Sequence, residues 1–171
     1  FVMTSPAQIL PNEVITPISC YGNTTANGLA DGIITLNVTG GSGVYTYEWD
    51  ITTSTPSGPT TSVISNLQEG TYTVTITDDM GCEETYEFDM VEPSAITNNF
   101  SNIVDVSCNG LSDGSVKANP VGGVGSYTYS WSPSGSGQTA NGLSANDYTV
   151  TITDGNSCSN SFDITIEEPD T

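Results

Sequence analysis

The chain has 171 residues, with 20 acidic residues, one basic residue (Lys117), no His and a formal charge of −19. That balance repels nucleic-acid phosphates and anionic membranes, favours hard cations such as calcium, and keeps a chain soluble. Without His or Arg there is no His general base, no Ser–His or Cys–His pair and no His zinc ligand, and no run is long and apolar enough to cross a bilayer.

Repetition sets the domain count. Tyr72-Thr73-Val74-Thr75-Ile76-Thr77-Asp78 recurs letter for letter as Tyr148-Thr149-Val150-Thr151-Ile152-Thr153-Asp154. A repeat of this kind marks two copies of one module, each of about 80 residues. Pro6-Ala7-Gln8-Ile9 resembles Pro93-Ser94-Ala95-Ile96, and Glu92-Pro93 recurs as Glu168-Pro169. The modules are therefore expected at residues 6–93 and 94–169, with 1–5 and 170–171 as linker remnants of neighbouring repeats. The start at Phe1, with no visible signal peptide, predicts a cut end whose export signal lies elsewhere.

In chain order, a first strand A is expected within Ile9–Cys20 and Ile96–Cys108. The loop after it is six residues longer in the first copy, a variation that surface loops tolerate. Strand B alternates as Ile34-x-Leu36-x-Val38 and Val116-x-Ala118-x-Pro120; the proline lacks a ladder donor, so that end is expected to be unpaired or bulged. Gly40-Gly41-Ser42-Gly43 and Gly122-Gly123-Val124-Gly125 supply the next turn. Strand C places three aromatics on one face, Tyr45-x-Tyr47-x-Trp49 and Tyr127-x-Tyr129-x-Trp131. Trp49 and Trp131 are expected in the core, although an aromatic row can also stack on sugars.

Residues 51–61, rich in Thr, Ser and Pro, predict at most a short edge strand. Strand E is Val63-x-Ser65 running into Leu67, or Gln138–Leu143. Strand F is the seven-residue repeat itself, with Tyr72, Val74 and Ile76 on one face and Thr on the other. Leu67-x-x-Gly70-x-Tyr72 and Leu143-x-x-Asn146-x-Tyr148 have the form of a tyrosine corner, which marks a Greek-key sandwich with F central in its sheet. Strand G alternates as Tyr86-x-Phe88-x-Met90 and Phe162-x-Ile164-x-Ile166. No segment has a 3.6-residue period, so the expected fold is all-β: two tandem immunoglobulin-like Greek-key β-sandwich modules.

Four Cys, at 20, 82, 108 and 158, fall two per copy with no CxxC spacing. Even numbers in small Thr- and Gly-rich β modules point to disulfides and an oxidising location; buried free thiols are the alternative. Because each repeat of an array must fold by itself, the expected bridges are Cys20–Cys82 and Cys108–Cys158. Six alternating antiparallel strands would bring each pair together, and would also bring both module termini together at the other end. A strand from residues 51–61 would separate both. Short edge strands are weak sequence signals, so the cysteines take precedence over the strand count.

The Asp-Gly and Asp-Asp turns at Asp31, Asp78, Asp79, Asp113 and Asp154 are ordinary turn chemistry. Their alternative is calcium, which takes carboxylate and carbonyl oxygens; Glu92 at the module junction is a further candidate. No other cofactor is expected.

The ordered set Cys-Asn-Gly, Asp-Gly, Gly-Gly, Tyr-Thr-Tyr-x-Trp, Leu-x-x-x-x-Tyr-Thr-Val-Thr-Ile-Thr-Asp, Cys, Glu-Pro resembles the SprB repeat family of large Bacteroidetes surface adhesins, including gliding-motility adhesins. The likeness covers both copies nearly end to end. The chain departs from it in the long first loop, and in Asn146 and Ser157 where copy one has Gly70 and Gly81. The resemblance implies secretion to the cell surface, through the type IX route, and a structural or adhesive repeat in a long filament or stalk. Neighbouring repeats, and surface glycans or other cell-surface proteins, are its implied partners. It transfers no catalytic residues, and no enzyme activity, nucleic-acid binding or membrane insertion is expected. The other reading is a carbohydrate-binding module of an exported enzyme, with Tyr21 and Phe100 as the aromatics outside the core face.

Overall fold

The computed structural model describes residues 7–24, 28–50 and 61–169. The linker remnants 1–5 and 170–171, Pro6, the middle of the long first loop, and all but Thr61 of the stretch 51–61 read as at most an edge strand lie outside the described residues. The chain divides into two units, Phe1–Glu92 and Pro93–Thr171. The described residues contain strands and no α-helix.

The first unit holds β1 (Glu13–Thr16), β2 (Gly32–Leu36), β3 (Thr46–Asp50), β4 (Val63–Leu67), β5 (Gly70–Thr77) and β6 (Glu83–Met90). They form two antiparallel sheets, β1-β2-β4 and β3-β5-β6. In immunoglobulin lettering these are A-B-E and C-F-G, the two layers of an immunoglobulin-like sandwich. The repeated strand β5 is central in its sheet, paired with β6 along its length and with β3 from Thr73 to Thr77. Its alternation is realised as Tyr72, Val74 and Ile76 buried and the threonines half-buried.

The second unit repeats the plan with β7 (Thr97–Val104), β8 (Gly114–Val121), β9 (Thr128–Ser132), β10 (Thr139–Leu143), β11 (Asn146–Thr153) and β12 (Ser159–Ile166). Its sheets are β7-β8-β10 and β9-β11-β12. Pro120 departs from expectation. It pairs in register with Asn98 of β7, while β10 reaches only to Lys117, so the missing N–H falls where β8 has one partner strand rather than two. The register shifts of this sheet lie elsewhere, between Ser101 and Val104 and between Asn141 and Leu143.

Each sandwich closes on its own core. In the first, Ile34, Leu36, Ile64 and Leu67 from one sheet meet Trp49, Tyr72, Val74, Ile76, Phe88 and Met90 from the other. Trp49 packs on Phe88 with ring centroids 6.2 Å apart, and its indole N–H donates to the Thr61 carbonyl at 3.0 Å. Trp131 does the same against Phe100 at 6.3 Å and the Gly137 carbonyl at 3.0 Å. Buried aromatics of this size supply much of the apolar burial a small sandwich needs. At the corner, the Tyr72 hydroxyl donates to the Gln68 carbonyl at 2.9 Å and the Tyr148 hydroxyl to the Ser144 carbonyl at 3.0 Å.

Strand direction corrects the cysteine pairing. Two residues, Gln68 and Glu69, link Leu67 to Gly70, so β4 ends where β5 begins; β3, antiparallel to β5, therefore runs the same way as β4. The two strands are thus parallel in direction instead of alternating. As a result Cys20 lies beside Asp31 and Gly22 at the end where β5 starts, and Cys82 follows β5 at the other end. The eight residues of β5 put roughly 23 Å between those ends, far beyond the 4.4–6.8 Å or so that a bridged Cα pair allows. The same geometry separates Cys108 from Cys158 across β11. Neither Cys20–Cys82 nor Cys108–Cys158 forms: Cys82 and Cys108 are free, exposed thiols, and Cys20 and Cys158 are disulfide-bonded.

Candidate functional site

The polar chemistry of each unit is concentrated at the two ends of its sandwich. At the end where the chain enters, the β5–β6 turn is tied to the glycine turn before β3 by one side chain. The Asp78 carboxylate, buried, accepts the N–H groups of Cys82 at 2.8 Å, Met80 at 3.0 Å and Ser42 at 3.0 Å. Asp154 repeats this with Cys158 and Asn156 at 2.9 Å and Val124 at 2.8 Å. The Cys82 N–H, with those of Ser42 and Met80, holds the Asp78 carboxyl below the usual carboxylate range. The entering chain completes the arrangement: Gly41 N–H donates to Ala7, and Gly123 N–H to Ser94, each at 2.7 Å.

A glycine is required beside each carboxylate. Gly123 has φ of 64°, and a Cβ there would lie 2.6 Å from Asp154 Oδ2; at Gly41, with φ of 57°, the corresponding distance to Asp78 Oδ2 is 3.0 Å.

At the end where the chain leaves, Asp31 accepts the Ser19 N–H at 3.1 Å, and Asp113 accepts the Ser107 hydroxyl at 2.6 Å and N–H at 3.0 Å. The Ser107 hydroxyl and then its N–H hold Asp113 below the usual carboxylate range. Glu92 accepts the Gly22 N–H at 2.8 Å, and Glu168 accepts that of Gly110 at 3.0 Å. The loop after the first strand is thereby fastened to the last residues of its own unit.

The calcium candidates thus fall at opposite ends: Asp78, Asp79 and Asp154 at the entry ends, Asp31, Asp113 and Glu92 at the exit ends. Among the described residues no three His, Cys, Asp or Glu side chains come together to hold a metal ion. Five of the six carboxylates serve as acceptors for N–H groups of the chain, and Asp79 lies against Gly43. The sugar-stacking aromatics divide. Tyr21 is exposed, but Phe100 packs into the second core against Trp131, which corrects its reading as a surface aromatic. The tie from Asp78 to Ser42 was not anticipated. Its signal in the sequence is an Asp ending both copies of the repeat and a Gly-Gly pair opening both turns.

A family profile for the SprB repeat matches residues 27–51 and 100–136. No curated protein matches the sequence. Among solved structures, the chain is similar to a C-terminal 282-residue fragment of intimin in complex with the intimin-binding domain of the translocated intimin receptor, at 17% identity and a TM-score of 0.41, over 95% of this chain and 64% of that one. It is also similar to the N-terminal eight Ig domains of Down syndrome cell adhesion molecule, at 13% identity and a TM-score of 0.44, over 95% of this chain and 25% of that one. The chain therefore spans less than two thirds of the length of either. Among the described residues no helix is long and apolar enough to cross a membrane. The profile matches fall one in each unit, on β2 to β3 and on β7 to β9, so the chain is similar to the SprB repeat at those two stretches.

Proposed function

We propose that the chain is a structural and adhesive segment of a long extracellular filament or stalk, part of a secreted bacterial surface adhesin of the gliding-motility type exported by the type IX route. It acts by presenting length and resistance rather than by catalysis. Its partners are neighbouring repeats of the same chain and, through the whole adhesin, glycans or proteins on other surfaces. The SprB match and a disulfide both fit a cell-surface protein.

One observation carries this reading. Within each unit the chain enters at one end of the sandwich, beside Asp78 or Asp154, and leaves at the other, beside Glu92 or Glu168. Modules threaded this way add length as they are joined, whereas modules with both termini at one end fold back on one another. The dense negative charge keeps such an array solvated and repels like chains.

Small-angle X-ray scattering tests the reading on this chain and on a tandem of two copies joined at the Glu-Pro junction. The maximum dimension should rise in proportion to the number of repeats. A four-repeat chain as compact as the two-repeat chain overturns it.

A further inference from the structure

We propose that Asn109 is a self-modification site, at which the chain converts its own asparagine to aspartate or isoaspartate, and that the Glu168 carboxylate holds this reaction off while the loop after β7 stays fastened. The site lies wholly within the second unit and is independent of the adhesive reading.

The chain contains three Asn-Gly pairs, at 27–28, 109–110 and 141–142. Such a pair is reactive because glycine, without a side chain, leaves its backbone nitrogen open to the amide of the preceding asparagine. Asn27 lies outside the described residues, and Asn141 sits in β10, paired with Ser115 of β8. Asn109 is placed differently. It is exposed, in a turn closed by the Leu111 N–H on the Cys108 carbonyl at 3.1 Å. Gly110, with φ of 80°, has open space where a Cβ would stand. Its N–H, the group that must react, donates instead to Glu168 Oε2 at 3.0 Å.

That hydrogen bond opposes the reaction in two ways. The new bond has to form along the direction of the N–H, and an N–H aimed at Glu168 is not aimed at Asn109 Cγ. The nitrogen must also lose its proton, and a carboxylate beside it disfavours the anion that results. The first unit keeps the same fastening without the asparagine. There Gly22 donates to Glu92 at 2.8 Å, in a turn closed by the Asn23 N–H on the Cys20 carbonyl at 3.3 Å, but the residue before Gly22 is Tyr21.

When the loop opens, the Gly110 nitrogen gives its proton to hydroxide and bonds to Asn109 Cγ, and the side-chain nitrogen leaves as ammonia. The cyclic succinimide then takes up water at either of its carbonyls. The product is aspartate or isoaspartate, with no electron gained or lost. Either product adds a negative charge to a chain already at −19, close to Glu168. Isoaspartate also lengthens the backbone inside the turn by a methylene. The conversion is therefore a permanent record that the loop has been released.

The test follows each asparagine by peptide mapping and mass spectrometry, with fragmentation that tells isoaspartate from aspartate, after incubating the folded chain in mildly alkaline buffer. Conversion at Asn109 should be at least about tenfold faster in Glu168→Ala than in the parent, the scale of one hydrogen bond to a charged acceptor, while Asn141 keeps its rate. Asn109 converting at the parent's rate, or more slowly, in Glu168→Ala overturns the proposal; the slower rate would make the carboxylate a base rather than a restraint. A rise at Asn109 and Asn141 together marks loss of the fold, and a second variant then decides. Tyr21→Asn installs the same pair behind Glu92. Position 21 should convert as slowly as Asn109 of the parent, and conversion there at the rate of the denatured chain overturns the proposal.

Discussion

Asp78 Oδ2 accepts the Ser42 N–H at 3.0 Å across 36 residues of sequence, and so joins the turn after the central strand to the glycine turn before β3. The glycine preceding that donor, Gly41, leaves the carboxylate room, and the second unit repeats the contact between Asp154 and Val124 beside Gly123. Two glycines in the second unit isolate what this close approach is worth. Gly110, with φ of 80°, has no atom within 4 Å of a built Cβ, so Gly110→Ala meets only the left-handed penalty of about 1–2 kcal/mol. Gly123→Ala meets that penalty and the Asp154 carboxylate, and should lose at least about 1 kcal/mol more. Urea midpoints of the two variants decide it; equal losses contradict the tie.

Removing the acceptor gives a larger effect. In Asp154→Ala the N–H groups of Val124, Asn156 and Cys158 lose their common partner. Three hydrogen bonds to one charged acceptor are lost together, which makes this substitution destabilising by at least about 2 kcal/mol. Chemical denaturation followed by Trp fluorescence measures it, since Trp131 lies in the core of the same unit. A loss below about 0.5 kcal/mol, the ordinary scale of surface substitutions, would show that water replaces the carboxylate.

The corner tyrosines supply a smaller and separate term. Tyr72→Phe and Tyr148→Phe keep the ring in the core and remove the bond to the Gln68 or Ser144 carbonyl. Each should lower stability by roughly 0.5–1.5 kcal/mol. Neutral substitution at Tyr72 would remove the corner as a source of stability.

The strands themselves were legible in the sequence because period-two alternation fixes which side of a half-buried strand faces inward. Tyr72, Val74, Ile76, Phe88 and Met90 are all buried. The cysteine geometry was not, because it turns on the direction of a single strand. Residues 51–62 have no alternating apolar face, so no pattern shows whether the chain returns before β4. In the second unit the bridge between Ser130 and Ser136 shows the reversal directly after β9. The acidic turn residues were visible as turns, but not as acceptors for N–H groups 30 and 36 residues away, since hydrogen bonds across a fold leave no spacing to read. Phe100 was misplaced because strand A is paired on one side only, and its face cannot be inferred from alternation alone.

Acid should weaken these ties in a defined direction. The folded structure holds Asp78 and Asp113 below the ordinary carboxylate value, Asp78 chiefly through the Cys82 N–H and Asp113 through the Ser107 hydroxyl. A group whose folded value is depressed contributes stability that is fully present above its unfolded value and is lost as pH falls through the folded one. The window therefore lies below about pH 4. Protonating the remaining acidic residues acts oppositely, by relieving self-repulsion in a chain of charge −19. That second effect is common to the parent and to single variants, so the difference between them isolates the first. Asp78→Asn and Asp113→Asn should each be less stable than the parent at pH 7, and the gap should narrow as the pH drops from roughly 4 to 2. Denaturant midpoints at matched ionic strength across that range measure the gap; one that stays constant, or widens with acid, contradicts a charged carboxylate at the turn.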